Sequence, residues 1–271
     1  MTKRNDTVVT NPWGMLKQFT SGRIALGRTG ISLPTTPQLE FQLAHARARD
    51  AVHHELNTDT LHQAVIGLPL VEQCVVVESS AGNRATYLQR PDLGRRLSSA
   101  SRQQLQLLAS QSNRVGEYDL AFVIADGLSA LAVETNAVPF LQSILERLGQ
   151  QELSFAPVTI VRQGRVAVGD EVGELLGAKL VVVMIGERPG LSSPDSMGLY
   201  MTWGPRVGLT DESRNCISNV RPAGLSYEEA SYKLHYLVSE ALRREVTGVQ
   251  LKDETPASQL EGRLSNFLLG G

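Results

Sequence analysis

Leu180-Val181-Val182-Val183-Met184-Ile185 is an unbroken apolar run that leads directly into Gly186-Glu187-Arg188-Pro189-Gly190. A strand with one wet face alternates apolar and polar residues, whereas a continuous aliphatic run is the pattern of a strand covered on both faces. Three further runs share this character: Cys74-Val75-Val76-Val77, Leu120-Ala121-Phe122-Val123-Ile124 and Val158-Thr159-Ile160-Val161. Helical patterns lie among them at about 95–112, 136–148 and 170–176. A last helical stretch, from Tyr227 to about 246, has the capping box Ser226…Glu229 in front and Gly248 behind. Strands alternating with helices specify an α/β fold built on a mostly parallel, doubly wound, Rossmann-like sheet.

Upstream of Cys74 the pattern changes. Residues to about 33 are rich in Gly, Arg and Thr without a sustained period, which reads as an extended arm. Thr36-Pro37 offers an N-cap followed by proline at the first helical position. The helix it opens, to about 56, repeats Phe41, Ala44, Ala48, Ala51 and Val52 on one face, and so many alanines permit close docking. The expected division is an arm with a small helical region over 1–66 and an α/β ligand-binding domain over 67–271.

Composition narrows the function. In 271 residues, AVILMFWYC make up 42% and DEKR 20%, which is ordinary globular usage. Twenty-six basic against 28 acidic residues leave a net charge of −2, so no overall field draws nucleic acid or anionic lipid. The two cysteines, Cys74 and Cys216, supply neither a disulfide framework nor a cysteine-rich zinc site and fit a reducing compartment. No apolar run approaches the roughly 20 residues of a spanning helix, and none follows Met1 as a secretory signal would. A cytoplasmic protein is expected.

Polar chemistry gathers where three buried runs end, in Glu78-Ser79-Ser80-Ala81-Gly82-Asn83, Ala125-Asp126-Gly127-Leu128-Ser129 and Gly186-Glu187-Arg188. Ligands of open parallel sheets sit beyond the strand carboxyl ends. Each segment alone reads as a cap or turn; the three together point to a site for a large polar ligand. Glu187 resembles the acid that holds a ribose in dinucleotide folds, but no G-x-G-x-x-G follows the first strand. Gly22-Arg23-Ile24-Ala25-Leu26-Gly27-Arg28-Thr29 nearly matches a phosphate loop, with arginine in the lysine position and no strand before it. Ser129 lies in no G-x-S-x-G elbow. His45, His53 and His54 share one charged helix, and Cys216 has only the distant His235 as an activating candidate, so it reads as a buried structural cysteine. A stand-alone nucleotide-binding enzyme and a structural scaffold subunit stay open beside a ligand-binding domain without its own catalytic set.

Seven motifs in order carry a resemblance: Phe19-Thr20-Ser21-Gly22-Arg23-Ile24, Arg90-Pro91-Asp92-Leu93-Gly94-Arg95-Arg96-Leu97, Asp126-Gly127-Leu128-Ser129, Gly164-Arg165-Val166, Gly173-Glu174-Leu175-Leu176-Gly177-Ala178-Lys179, Gly186-Glu187-Arg188-Pro189-Gly190-Leu191 and Cys216-Ile217-Ser218-Asn219. From about Phe19 to Arg221 the chain resembles the small (light) subunit family of ethanolamine ammonia-lyase. The resemblance implies a subunit that packs against a (β/α)₈-barrel large subunit, which carries the substrate pocket, within a heterododecamer. It also implies adenosylcobalamin held between the two, for conversion of ethanolamine to acetaldehyde and ammonia by radical chemistry that belongs to the cofactor. The family's cobalamin contacts carry over to Val166, Glu187 and Cys216, with the last placed in a polar loop. No residue of this chain is expected to be catalytic, and none to bind a metal. Family members of organisms with a bacterial microcompartment carry a longer amphipathic start than the ten residues that precede Asn11 here.

Overall fold

The computed structural model describes residues 8–20, 22–111 and 118–255. Each of the four apolar runs forms a strand: β1 (Cys74–Glu78), β2 (Tyr118–Ala125), β3 (Val158–Arg162) and β4 (Ala178–Gly186). They pair in parallel, β1 with β3, β3 with β2, and β2 with β4. Two more strands, β5 (Met197–Trp203) and β6 (Arg214–Val220), extend the sheet in antiparallel pairing beyond β4. The result is one six-stranded mixed sheet in the order β1-β3-β2-β4-β5-β6. The order departs from the 3-2-1-4-5-6 of dinucleotide folds, because β1 stands at an edge and β3 lies between it and β2. Neither β5 nor β6 shows in the sequence pattern. β6 reads Arg-Asn-Cys-Ile-Ser-Asn-Val because it is an edge strand with polar residues facing water, the usual protection of an open edge.

Successive strand residues point to opposite faces, and each face has its own core. Leu120, Phe122 and Ile124 of β2 with Leu180, Val182 and Met184 of β4 pack against α5 (Ala130–Leu148), α7 (Tyr227–Arg244) and α2 (Thr58–Ile66). The alternate residues Ala121, Val123, Val181, Val183 and Ile185 meet α4 (Ser99–Gln111) and α6 (Val168–Leu176). A fully buried aliphatic side chain of this kind contributes roughly 1.5–3 kcal/mol. α6 lies especially close to the sheet: a Cβ on Gly169 would stand 2.2 Å from Val183 Cγ2, so only glycine lets the helix settle there.

Helix boundaries differ from the sequence reading where caps compete. The first helix, α1 (Thr35–His53), starts before Thr36, with Pro34 at its N-cap and no side-chain cap bond. Pro37 still falls in the first turn, where its missing N–H leaves no helical bond unmade. Within the chain, Ala51 is the one buried residue of α1, Ala44, Ala48 and Val52 are half-buried, and Leu39, Phe41 and Leu43 are exposed. α5 begins six residues earlier than the periodicity suggests, because the Ser129 side chain accepts from Ala132 N–H and caps it. α7 stops at Glu245, which adopts a left-handed conformation (φ 56°), three residues before Gly248. α2 and the short α3 (Arg84–Gln89), each capped by an asparagine, have no counterpart in the sequence reading. Among the described residues no helix is long and apolar enough to cross a membrane.

Candidate functional site

Parallel pairing brings the ends of β1 to β4 to one edge of the sheet, and β5 starts and β6 finishes beside the end of β4, with Gly186 opposite Met197 and Met197 opposite Val220. The connecting segments there surround a crevice of about 390 Å³ whose walls include Tyr87, Leu128, Arg165, Val166, Glu187 and Tyr200. A larger cavity, about 660 Å³, lies by the starts of β2 and β3 and is walled largely by Leu70, Phe122, Leu145 and Phe155. The strand-end crevice is where charged groups converge, and it is the position where open α/β sheets hold ligands.

Glu187 follows β4 and is half-buried. Its backbone N–H donates to Ser196 O at 2.9 Å, and its Oε2 accepts from the Ser196 hydroxyl and, at 3.3 Å, from Asn219 N–H. Asn219 presents that N–H from a left-handed conformation (φ 62°), which asparagine tolerates better than most residues. The carboxylate is thus fixed through one oxygen, and Oε1 has no partner among the described residues.

Cys216 corrects the sequence reading twice. It stands on β6, not in a loop, and it is exposed, not buried, because β6 is the sheet edge. Its register partner is Tyr200 of β5, and its Sγ lies 3.3 Å from Ser218 Oγ. Burial first, and then the neighbouring Cys216 and Glu187, push the Tyr200 hydroxyl well above its ordinary pKa, so it stays protonated. His235 bonds to Gln151 at 2.9 Å and gives Cys216 no activating base. Val166 is half-buried on the crevice wall, and its carbonyl accepts from Gly169 N–H at 3.1 Å where α6 begins. The crevice therefore holds Val166 and Glu187 directly, and Cys216 joins it through Tyr200.

The other strand-end polar groups hold the frame. Buried Asp126 accepts N–H bonds from Gln163 and Gly164, both 2.9 Å, tying the loop after β2 to the loop after β3. Burial pushes its pKa up to about 6, against the pull of those N–H groups and of Arg84, whose Nη1 is 3.6 Å away. Ser129 caps α5 and donates to Pro194 O at 2.7 Å. Gly127 brings this loop against β4: its φ is +58°, and a Cβ there would meet Gly186 O at 2.2 Å.

Three long-range ion pairs, made by two carboxylates, anchor α6, the helix that follows Val166. Asp170 receives both Arg214 Nη atoms, at 2.6 and 2.7 Å, with both side chains buried. Glu171 receives Arg96 Nε at 3.0 Å, Arg102 Nε at 2.8 Å and Leu97 N–H at 2.9 Å. Burial alone would raise the Glu171 pKa, but these donors outweigh it and hold it below its ordinary value. Arg214 is two residues from Cys216, so the first pair couples the Val166 segment to β6. The partners are 44, 75 and 69 residues apart, and no local spacing announces them.

The remaining sequence candidates stand elsewhere. His54 Nε2 is 2.9 Å from a Glu134 oxygen. Arg23, in the segment resembling a phosphate loop, donates to Pro37 O at 2.8 Å, and no strand precedes that segment among the described residues. Among the described residues no three His, Cys, Asp or Glu side chains converge as a metal site would require.

A family model described as the ethanolamine ammonia-lyase light chain (EutC) matches residues 10–252. The chain is 56% identical over 271 residues to the ethanolamine ammonia-lyase small subunit of Pseudomonas aeruginosa (strain UCBPP-PA14), covering 97% of this chain and 96% of that protein. It is 55% identical over 263 residues to the small subunit of Azotobacter vinelandii, with 96% of each covered. The small subunit of Ralstonia nicotianae is 54% identical over 263 residues, spanning 97% of this chain and 96% of that protein.

Proposed function

We propose, from the premise that this chain belongs to the ethanolamine ammonia-lyase light-chain family, that its strand-end crevice forms one wall of an adenosylcobalamin site completed by the large subunit. The chain is a lyase subunit, and the expected large-subunit partner carries the substrate pocket. In this reading the sheet works as Rossmann-like scaffolds do, presenting a ligand beyond its strand ends. Residues 67–271 are the cobalamin-binding domain, and 1–66 are the arm and helical region that reaches the partner.

One observation carries the proposal: a carboxylate already oriented by Ser196 and Asn219 keeps Oε1 free in a crevice that is open and far smaller than a corrinoid. Such a crevice suits one edge of a large amide-bearing ligand whose remainder lies against another chain. Glu187 accepts from ligand amide or hydroxyl groups, Val166 offers backbone and apolar contact, and Cys216 packs without reacting. The orphaned, buried Nε of Arg165 beside Val166 fits the same ligand class, since it needs an acceptor that the described residues do not supply. Bound adenosylcobalamin supplies the radical chemistry that turns ethanolamine into acetaldehyde and ammonia. This chain's residues bind, orient and exclude water. The exposed Trp13, Met15, Phe19, Ile31, Leu39 and Leu43 of the arm and α1 are the apolar surface offered to the large subunit, in a heterododecamer of the cytoplasm or of a bacterial microcompartment.

Reconstitution tests this. The purified chain should release no acetaldehyde from ethanolamine, alone or with adenosylcobalamin, and activity should appear on adding the large subunit. Full turnover by this chain alone would falsify the division of labour.

A further inference from the structure

Two arginines line the crevice, Arg165 and the exposed Arg188, and two more, Arg84 and Arg221, stand near it. Arg84 donates to Val52 O at 2.7 Å and Gly127 O at 2.8 Å and lies 3.6 Å from Asp126; its Nη2 is buried without a partner among the described residues, but Arg84 is not on the crevice wall. Arg221 pairs with Asp195 at 3.2 Å. Arg165 differs. It lines the crevice, and its Nε is fully buried without a hydrogen-bond partner among the described residues. Yet it is held firmly. Its backbone N–H donates to Gly94 O at 2.7 Å, and its guanidinium carbon lies 4.3 Å from the centre of the Tyr87 ring. Tyr87 is itself fully buried and fixed by its hydroxyl, which donates to Gly164 O at 3.2 Å. Gly94 leaves the room for this packing, since a Cβ there would sit 2.9 Å from Arg165 Cγ.

An oriented, partly desolvated guanidinium whose buried Nε lacks an acceptor among the described residues is an unmet requirement, because an unpaired buried donor costs about 1–3 kcal/mol and native structures rarely leave one without a reason. A planar fork of this kind matches the oxygens of a phosphate, and stacking on an aromatic ring pre-sets its direction. Glu187, on another wall of the crevice, repels anions and suits donors. The two walls thus sort a ligand's groups by charge.

Resting on the cobalamin reading above, we propose that Arg165 receives the phosphodiester that joins the corrin side chain to the nucleotide, while Glu187 takes neutral donors. Arg165 is a binding residue for the cofactor's phosphate and touches none of the reacting atoms.

The test uses the complete complex with the large subunit and two probes, cyanocobalamin and cobinamide, which share the corrin but differ in that cobinamide lacks the phosphodiester and nucleotide. Arg165→Met keeps an apolar stem over Tyr87 and removes the fork. It should weaken cyanocobalamin binding by about 10- to 100-fold, the loss expected for a charged hydrogen-bond partner, and leave cobinamide binding unchanged. Equal losses for both probes, or no loss for either, would overturn the assignment. Should Arg165→Met fail to assemble, Arg165→Lys retains the charge, and the ³¹P resonance of bound cyanocobalamin must then move from its wild-type position; an unmoved resonance rejects the contact. A wild-type complex that binds neither corrinoid refutes the cobalamin reading itself, which is a different failure from the two above.

Discussion

Arg214→Met should destabilise the chain more than a surface arginine would. Arg214 places both Nη atoms on Asp170 at 2.6 and 2.7 Å, and Nη1 also donates to Thr202 Oγ1 at 3.0 Å and Nη2 to Leu209 O at 3.2 Å. Removing it leaves Asp170 as a buried carboxylate with no cation. Breaking one side of such a pair costs about 3–5 kcal/mol, whereas replacing both partners by apolar groups of similar size is often neutral. At roughly 2–4 °C per kcal/mol for a chain approaching this length, the midpoint of thermal unfolding should fall by about 10 °C. Asp170→Leu added to Arg214→Met should restore most of that loss. Burial pushes the Asp170 pKa up even against the pull of Arg214, so the penalty of the single variant should shrink as acid protonates the stranded carboxyl. Denaturant and thermal unfolding of the two variants over pH check all three statements. A single variant within about 1 kcal/mol of wild type, or a double variant no better than the single, would refute the claim that this pair joins α6 to β6.

Three other outcomes follow from the same geometry. Asp126 has a folded-state pKa of about 6 against an ordinary 3.8; its contribution to stability is full below the lower value and lost as pH rises to the upper one. The urea midpoint should therefore carry a falling component between these pH values that Asp126→Asn lacks, and identical slopes in the two proteins would contradict the shift. Glu187→Ala should weaken cobalamin retention in the reconstituted complex by roughly 1–3 kcal/mol with the fold intact, read by equilibrium dialysis; unchanged affinity removes Glu187 from the site. Deleting residues 1–35 should impair assembly with the large subunit on gel filtration, and full assembly would show that the arm is no interface.

The parallel half of the sheet was legible because burial on both faces leaves a continuous aliphatic run, and β1 to β4 fall where such runs lie. The antiparallel half was not, because β5 is broken by Gly198 and Thr202 and β6 is an edge strand whose polar residues imitate a loop. That difference decided how Cys216 read: its polar neighbours suggest a segment without register, while Tyr200 opposite it sets one. The strand-end positions of Glu187 and Asp126 were legible from the run-then-turn pattern, but their roles were not. Glu187 keeps a free oxygen, whereas Asp126 is consumed by two N–H groups 37 and 38 residues away. Arg165 stands in the Gly164-Arg165-Val166 motif, but its lack of a hydrogen-bond partner among the described residues is a property of the folded chain.

The corrin either lies against the mouth of this sheet or it does not, and a cryo-electron microscopy map of the assembled particle soaked with cobalamin decides. The proposed site requires the ring within contact of Val166, Glu187 and Cys216, with the large subunit closing over its other side. Density for the ring held wholly by the large subunit, remote from those three side chains, would contradict it.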